Sequence, residues 1–456
     1  MKLFKILILI ALISSLLLAD VSIPLNDPNI AYEGVWFPEI DSNRVIFNRH
    51  TEEVLTNGES GISATSKVYA YTQTGIRIRF STDSPTIQMS FEPRDGGGKM
   101  GLTQAFAVFA DSTIINVFET LVFTIDSPKP DSIVNYEVTL PSLHAVNFTG
   151  LTLKDGHQLS TLPANNLPDY VAVGNSITNG TGHQSATHLT YPFIMAQTMK
   201  WNLTNLAVAG ARTGWPIAQL FRDKPVDFVT ILLGFNDWMW DNKTLEYKIG
   251  QYTKLLDTLR YYQPAAKIFC ITPLTTTKTD PQYQVPFTLQ QYREALARTI
   301  NRRSSRSGDP NLFLIHGDSI STKSMLMDGI HLGQAGAPLF AAKLTTKIKE
   351  ILATPVNIKN TPSHPKKFNL NRVYPNPFNP ATFIEYELAN AGLTQIDVYD
   401  LAGNKIKELL NRQQGAGQHV IPFHADGMSS GLYIIHLNHS NQTQQVTATE
   451  KCLLLK

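Results

Sequence analysis

From about residue 30 to residue 160 the chain alternates apolar and polar side chains in short runs. Ile76-Arg77-Ile78-Arg79-Phe80, Thr86-Ile87-Gln88-Met89-Ser90-Phe91 and Ala105-Phe106-Ala107-Val108-Phe109 are three of them. Gly, Pro, Asp and Ser clusters such as Asp95-Gly96-Gly97-Gly98 separate the runs. A period of two broken by turn chemistry every ten or so residues predicts an antiparallel β-sandwich over residues 20–162, of jelly-roll-like type. Residues 162–168, Leu-Pro-Ala-Asn-Asn-Leu-Pro, form a linker.

The texture then changes. Short apolar runs at 170–173, 227–233, 267–271 and 312–315 alternate with segments of helical periodicity such as 244–260 and 288–303. Buried strands alternating with amphipathic helices predict an α/β layer with a parallel sheet over residues 168–353. In such sheets functional groups collect beyond the C-terminal ends of the strands. A proline-containing polar stretch, 354–368, forms a second linker. Residues 369–456 return to β texture at 382–388, 395–399, 419–423 and 432–437, which predicts a small second sandwich.

A chain of 456 residues exceeds what one core usually organises, in keeping with this multidomain division. Lys plus Arg total 39 and Asp plus Glu total 37, so charge gives no reason to expect nucleic acid as a partner. Lys2 and Lys5 precede an apolar run over residues 6–19. That run falls short of the ~20 residues needed to span a bilayer. With its basic start and small Ala19 it fits a signal peptide, residues 1–19, leaving no stable membrane span after processing. Only Cys270 and Cys452 occur. Cys270, within an apolar run, reads as a small buried hydrophobe. Two cysteines alone cannot build a structural zinc site, and a disulfide between them is not expected.

The candidate chemistry lies in the α/β layer. Val173-Gly174-Asn175-Ser176 is a strand end followed by a serine at the turn into a helix. Read alone, Ser176 would be an ordinary N-cap. A second apolar run ends at Gly210, and a third at Gly234-Phe235-Asn236-Asp237. Asp328-Gly329-Ile330-His331 then places an acid and an imidazole three residues apart. A weakly nucleophilic serine needs an adjacent base, and that base needs an orienting group.

In order, Gly174-Asn175-Ser176, Gly210, Gly234-x-Asn236-Asp237 and Asp328-x-x-His331 resemble the four blocks of SGNH (GDSL-type) hydrolases. The resemblance implies a flavodoxin-like three-layer domain and a serine esterase without metal or organic cofactor. It assigns Ser176, His331 and Asp328 to a catalytic triad. It assigns the N–H groups of Ser176 and Gly210 and the Asn236 amide to an oxyanion hole. Asn175 departs from the family, where Asp is commoner. His183 and His188 lie near Ser176 in sequence but lack ligand spacing with carboxylates, and Asp237 reads as structural.

Further on, 373–382 (Val-Tyr-Pro-Asn-Pro-Phe-Asn-Pro-Ala-Thr), 398–403 (Val-Tyr-Asp-Leu-Ala-Gly) and Gly431-Leu432-Tyr433 resemble a type IX secretion sorting domain, an Ig-like sandwich. The implied partners are the type IX secretion machinery and an acylated carbohydrate or other small ester. The implied route is Sec export, then passage to the cell surface or medium. A sandwich before an SGNH domain also resembles the arrangement of some carbohydrate esterases. Trp215, Trp238 and Trp240 follow Gly210 and Asn236 closely, and an indole suits the apolar face of a sugar. The expected substrate is therefore an acetylated glycan, with Trp238 as its foremost platform. A lipase- or thioesterase-like acylhydrolase and a non-catalytic glycan-binding protein are the alternatives.

Overall fold

Val171 and Val173 pack against one set of helices, and Tyr170 and Ala172 against another. This is the signature of a strand buried on both faces. In the computed structural model, which describes residues 20–98, 104–283, 285–306, 309–353, 368–374, 376–379, 381–441 and 444–455, that strand is β1 (Asp169–Gly174). It is joined by β2 (Asn202–Asn205), β3 (Phe228–Leu232), β4 (Lys267–Ile271) and β5 (Leu312–Ile315). All four pairings are parallel, in the order β2-β1-β3-β4-β5.

Helices Leu245–Tyr262 and Leu289–Arg306 cover the face bearing Val171, Val229, Ile231 and Ile268. Tyr191–Met199 and Gly336–Ala353 cover the face bearing Ala172, Leu232, Phe269 and Ile315. Helix Leu245–Tyr262 illustrates the local logic. Thr244 caps it by accepting from the Tyr247 N–H at 3.2 Å, and Glu246 and Arg260 sit at the dipole ends that suit their charges. Its buried Tyr252, Leu255, Leu256 and Leu259 fall on one stripe. Each such aliphatic side chain contributes about 1.5–3 kcal/mol by leaving water.

Before this layer stand two six-stranded antiparallel sheets. One contains Val45–Asn48, Thr86–Pro93 and Val146–Leu153; the other contains Arg77–Thr82, Phe106–Ala110 and Val134–Thr139. Their inward residues form one cluster, with the Phe91 and Phe106 rings 4.5 Å apart. The alternating runs at 76–80, 86–91 and 105–109 are thus strands, each within two residues of the expected bounds. Residues 49–75 are not. Between Val45–Asn48 and Arg77–Thr82 the chain leaves β structure for short helices at Glu52–Thr56, Ala64–Lys67 and Val68–Tyr71.

Residues from Pro355 onward form a separate unit. It holds a three-stranded sheet (Asn369–Tyr374, Ala381–Leu388, Gly417–His424) and a four-stranded sheet (Lys405–Gln414, Gly392–Tyr399, Gly431–Ser440, Gln445–Leu454) around a core that includes Tyr386, Val398, Ile435 and Cys452. Three of its strands, Asn369–Tyr374, Lys405–Gln414 and Gln445–Leu454, go beyond the four expected. Cys270 and Cys452 are both buried free thiols. The expected signal peptide and nearly all of the 354–368 linker lie outside the described residues. Among the described residues no helix is long and apolar enough to cross a membrane.

Candidate active site

Strand order places the switch point of the sheet between β1 and β3, whose onward connections leave to opposite faces. Ser176 follows β1 there. It opens a four-residue helix, Ser176–Asn179, for which Asn175 is the cap, its side chain accepting from the Ile177 N–H at 3.1 Å. Asn at 175 therefore performs the capping that Asp would, without the negative charge. The turn is tight enough that a Cβ on Gly174 would collide with Thr178 Oγ1.

His331 reaches Ser176 from the loop after β5. Ser176 Oγ and His331 Nε2 are 2.8 Å apart, and His331 Nδ1 lies 2.7 Å from Asp328 Oδ2. The other Asp328 oxygen accepts the backbone N–H groups of Ile330 at 2.9 Å and His331 at 2.8 Å. The Met327 N–H closes the loop on the His331 carbonyl at 2.9 Å. Partial burial pushes the Asp328 carboxyl up. The hydrogen bonds from the His331 ring, the two backbone N–H groups and the attraction of His331 outweigh it, and the group is held below its ordinary value. It is thus an anion, able to hold the His331 tautomer that presents Nε2 to the serine.

The expected oxyanion donors Gly210, Ser176 and Asn236 follow the C-terminal ends of the three adjacent strands β2, β1 and β3. After β2, nearly every backbone N–H is occupied. Leu206 donates to the Ala172 carbonyl (2.8 Å), Ala207 to Asn205 Oδ1 (3.0 Å), Val208 to the Gly174 carbonyl (3.2 Å) and Ala209 to Asn179 Oδ1 (3.0 Å). Ala211 and Arg212 donate to the carbonyls of Val208 and Gly61. The Gly210 N–H between them has no partner among the described residues, nor has that of Ser176. Gly210 is exposed, has φ +82°, and abuts Ser66, whose Oγ a Cβ would strike. Asn236 gives one amide hydrogen to the Ala211 carbonyl at 2.9 Å and keeps a second.

Asp237 faces away from this chemistry. Buried, it accepts the Thr213 N–H on both oxygens at 3.1 Å and the Thr213 hydroxyl at 3.2 Å, pinning the loop after β2 to the short helix Phe235–Met239 that follows β3. Burial pushes its carboxyl up to about 6. His183 is buried with neither ring nitrogen bonded among the described residues. Burial, together with the neighbouring His331, pushes it down to about 4, so at neutral pH it adds no positive charge beside the triad. His188 is pushed down by burial too.

The three tryptophans separate. Trp238 is 2% exposed and meets Phe235 edge-on at 5.9 Å. Its remaining edge borders a cavity of about 720 Å³ with Thr275, Phe287 and Arg293, and the lining includes no triad residue. Trp215 is half-buried, its N–H donating to Glu59 at 2.7 Å. Trp240, 40% exposed, alone of the three offers much of its indole to solvent. The sequence ranks these residues by proximity to Asn236, but the short helix Phe235–Met239 turns Trp238 into the core.

Sequence reasoning also missed the segment 49–75. Its Asn57-Gly58-Glu59-Ser60-Gly61 stretch, a break in the period-two texture, was the available signal. Among the described residues no cluster of His, Cys, Asp and Glu has the make-up of a metal site.

Residues 172–338 match the GDSL-like lipase/acylhydrolase family model, and residues 372–449 match the secretion system C-terminal sorting domain. A salicylyl-acyltransferase from a tetracycline biosynthetic pathway shares the fold at TM-score 0.63 and 19% identity, over 74% of this chain and 99% of its own. A protein described as a GDSL-like lipase from Bacteroides ovatus does so at 0.57 and 16%, over 73% and 98%. A family two carbohydrate esterase from Clostridium thermocellum, solved with cellohexaose, does so at 0.50 and 19%, over 62% and 94%. No curated protein sequence matches the chain.

Proposed function

We propose that this chain is an exported serine esterase that removes acyl groups, foremost acetyl, from carbohydrate. The observation that carries the proposal is the continuous relay Ser176 Oγ–His331 Nε2 and His331 Nδ1–Asp328 Oδ2, at 2.8 and 2.7 Å. His331 takes the Ser176 proton as Oγ attacks the ester carbonyl. The negative charge that develops on the carbonyl oxygen meets the N–H groups of Ser176 and Gly210 and the free Asn236 amide hydrogen. Asp328 stabilises the imidazolium, which then gives its proton to the sugar oxygen as the C–O bond breaks, so that the sugar leaves as an alcohol. Water, activated by the same imidazole, releases the acid and restores the serine.

The carbohydrate part rests on the exposed Trp240 and on an architecture shared with a carbohydrate esterase. That fold also serves an acyltransferase, so the fold by itself does not choose between water and an alcohol as acyl acceptor. We read the N-terminal sheets as a jelly-roll-like sandwich and the C-terminal unit as an Ig-like one. The latter would direct the protein through the type IX secretion machinery to the cell surface or medium. Acetate release from a panel of acetylated oligosaccharides, by wild type and by Ser176→Ala, tests the proposal. Wild type should release acetate and the variant should not. Turnover of acyl thioesters or long-chain lipid esters alone would replace carbohydrate as the substrate.

A further inference from the structure

Arg49 begins the helical segment 49–75 and is completely buried. It forms no ion pair among the described residues. A buried cation without a counter-ion is costly unless every donor is satisfied. All five N–H groups of Arg49 are. Nε donates to the Thr72 carbonyl at 2.6 Å, and Nη2 to the Tyr69 carbonyl at 2.9 Å and Thr72 Oγ1 at 3.4 Å. Nη1 crosses to the α/β layer and donates to the carbonyls of Asn205 and Ala207, both at 2.8 Å. Those carbonyls lie at the end of β2 and just past it, five and three residues before Gly210. From the same segment His50 Nε2 bonds the Leu206 carbonyl at 3.0 Å, and Gly61 takes the Arg212 N–H at 2.9 Å.

We infer that Arg49, supplied by the N-terminal β domain, is a positioning residue for catalysis: it fixes the path of residues 205–210 so that the Gly210 N–H stays aimed at the reacting carbonyl oxygen. The inference rests on the proposed esterase reading, in which Gly210 is an oxyanion donor. A planar fork spanning two carbonyls suits the task, whereas a lysine could reach the same carbonyls only as a point charge. The β domain would then be part of the reaction apparatus and not only an attachment to it.

Arg77 provides the internal control. It is buried too, and it bridges the same two layers through the Leu203 carbonyl at 2.9 Å and Asn202 Oδ1 at 2.6 Å, with Glu33 at 3.0 Å as ion partner. It grips β2 near its start, away from Gly210. Full-length Arg49→Met, Arg49→Lys and Arg77→Met should be compared with Ser176→Ala on 4-nitrophenyl acetate, with kcat, KM and melting temperature recorded. Arg49→Met should lower kcat by about 10- to 100-fold, below the full loss of one oxyanion donor, with KM within about twofold. Arg49→Lys should recover part of that kcat. Arg77→Met should melt earlier yet keep kcat within about twofold.

An unchanged kcat in folded Arg49→Met would overturn the inference, as would an equal kcat loss in Arg77→Met. If Arg49→Met does not fold, a wild-type kcat in Arg49→Lys would overturn it and a reduced one would support it. Turnover surviving in Ser176→Ala would instead remove the reading of Ser176 as the nucleophile, on which the inference rests.

Discussion

The α/β layer and the N-terminal β domain use their polar groups in different ways. In the α/β layer, Ser176, Asn236, Asp328 and His331 stand beyond the strands' C-terminal ends, where the second Asn236 amide hydrogen and the Ser176 and Gly210 N–H groups are left for something outside the protein. In the β domain, Arg49 and Arg77 spend their donors inward, partly on their own domain and partly on β2 and the loop it feeds. The contrast teaches that a site can be displayed by one domain and held in register by another. The displaying residues come as short motifs in sequence, and the holding ones do not.

The largest expected effect would break the display. Ser176→Ala and His331→Ala should each abolish nearly all turnover, by about 10⁴-fold or more, because the triad acts as a unit. Asp328→Asn should cost about 10⁴-fold with the fold intact, since it favours the wrong imidazole tautomer. Steady-state kinetics with circular dichroism on each variant would check this. Next, Asn236→Ala should lower kcat by about 10²–10³ with little change in KM. An unchanged kcat would mean that its free amide hydrogen points away from the reaction.

How much of this was legible in the chain follows the same division. Ser176, Gly210, Asn236, Asp328 and His331 could be read because they fall in four short motifs whose order resembles that of SGNH hydrolases. Four of the five α/β strands could be read because burial on both faces leaves continuous apolar runs such as 228–233, whereas β2, Asn-Leu-Thr-Asn, is no such run. Arg49 could not be read. An arginine at the end of a β run normally signals a solvated edge, and only the return of residues 69–72 and 205–207 in space supplies its acceptors. The inward turn of Trp238 was hidden for the same reason, its neighbours Phe287 and Phe235 coming together only in the fold.

The tryptophans sharpen the comparison at smaller scale. Trp238→Ala should cost about 3–5 kcal/mol of stability as a core truncation, read by denaturant unfolding. Trp240→Ala should leave stability nearly unchanged and raise KM several-fold for acetylated oligosaccharides but not for an aryl acetate. Equal effects on both substrates would remove Trp240 from sugar binding.

The smallest effect is a pH dependence. The Asp237 carboxyl in the folded protein is pushed up to about 6, above its ordinary 3.8. Between about pH 4 and 6 the folded state therefore binds more protons than the unfolded chain, and stability falls as pH rises through that window. Asp237→Asn should flatten the profile there. A melting temperature that rises with pH equally in both proteins would show that other carboxylates dominate.

The most direct test of the central claim is to treat the full-length protein with a fluorophosphonate and map the adduct by peptide mass spectrometry. An ester of Ser176, absent from Ser176→Ala and slowed in His331→Ala, is the expected result. Absence of any adduct, or one on another residue while Ser176 stays free, would contradict Ser176 as the nucleophile.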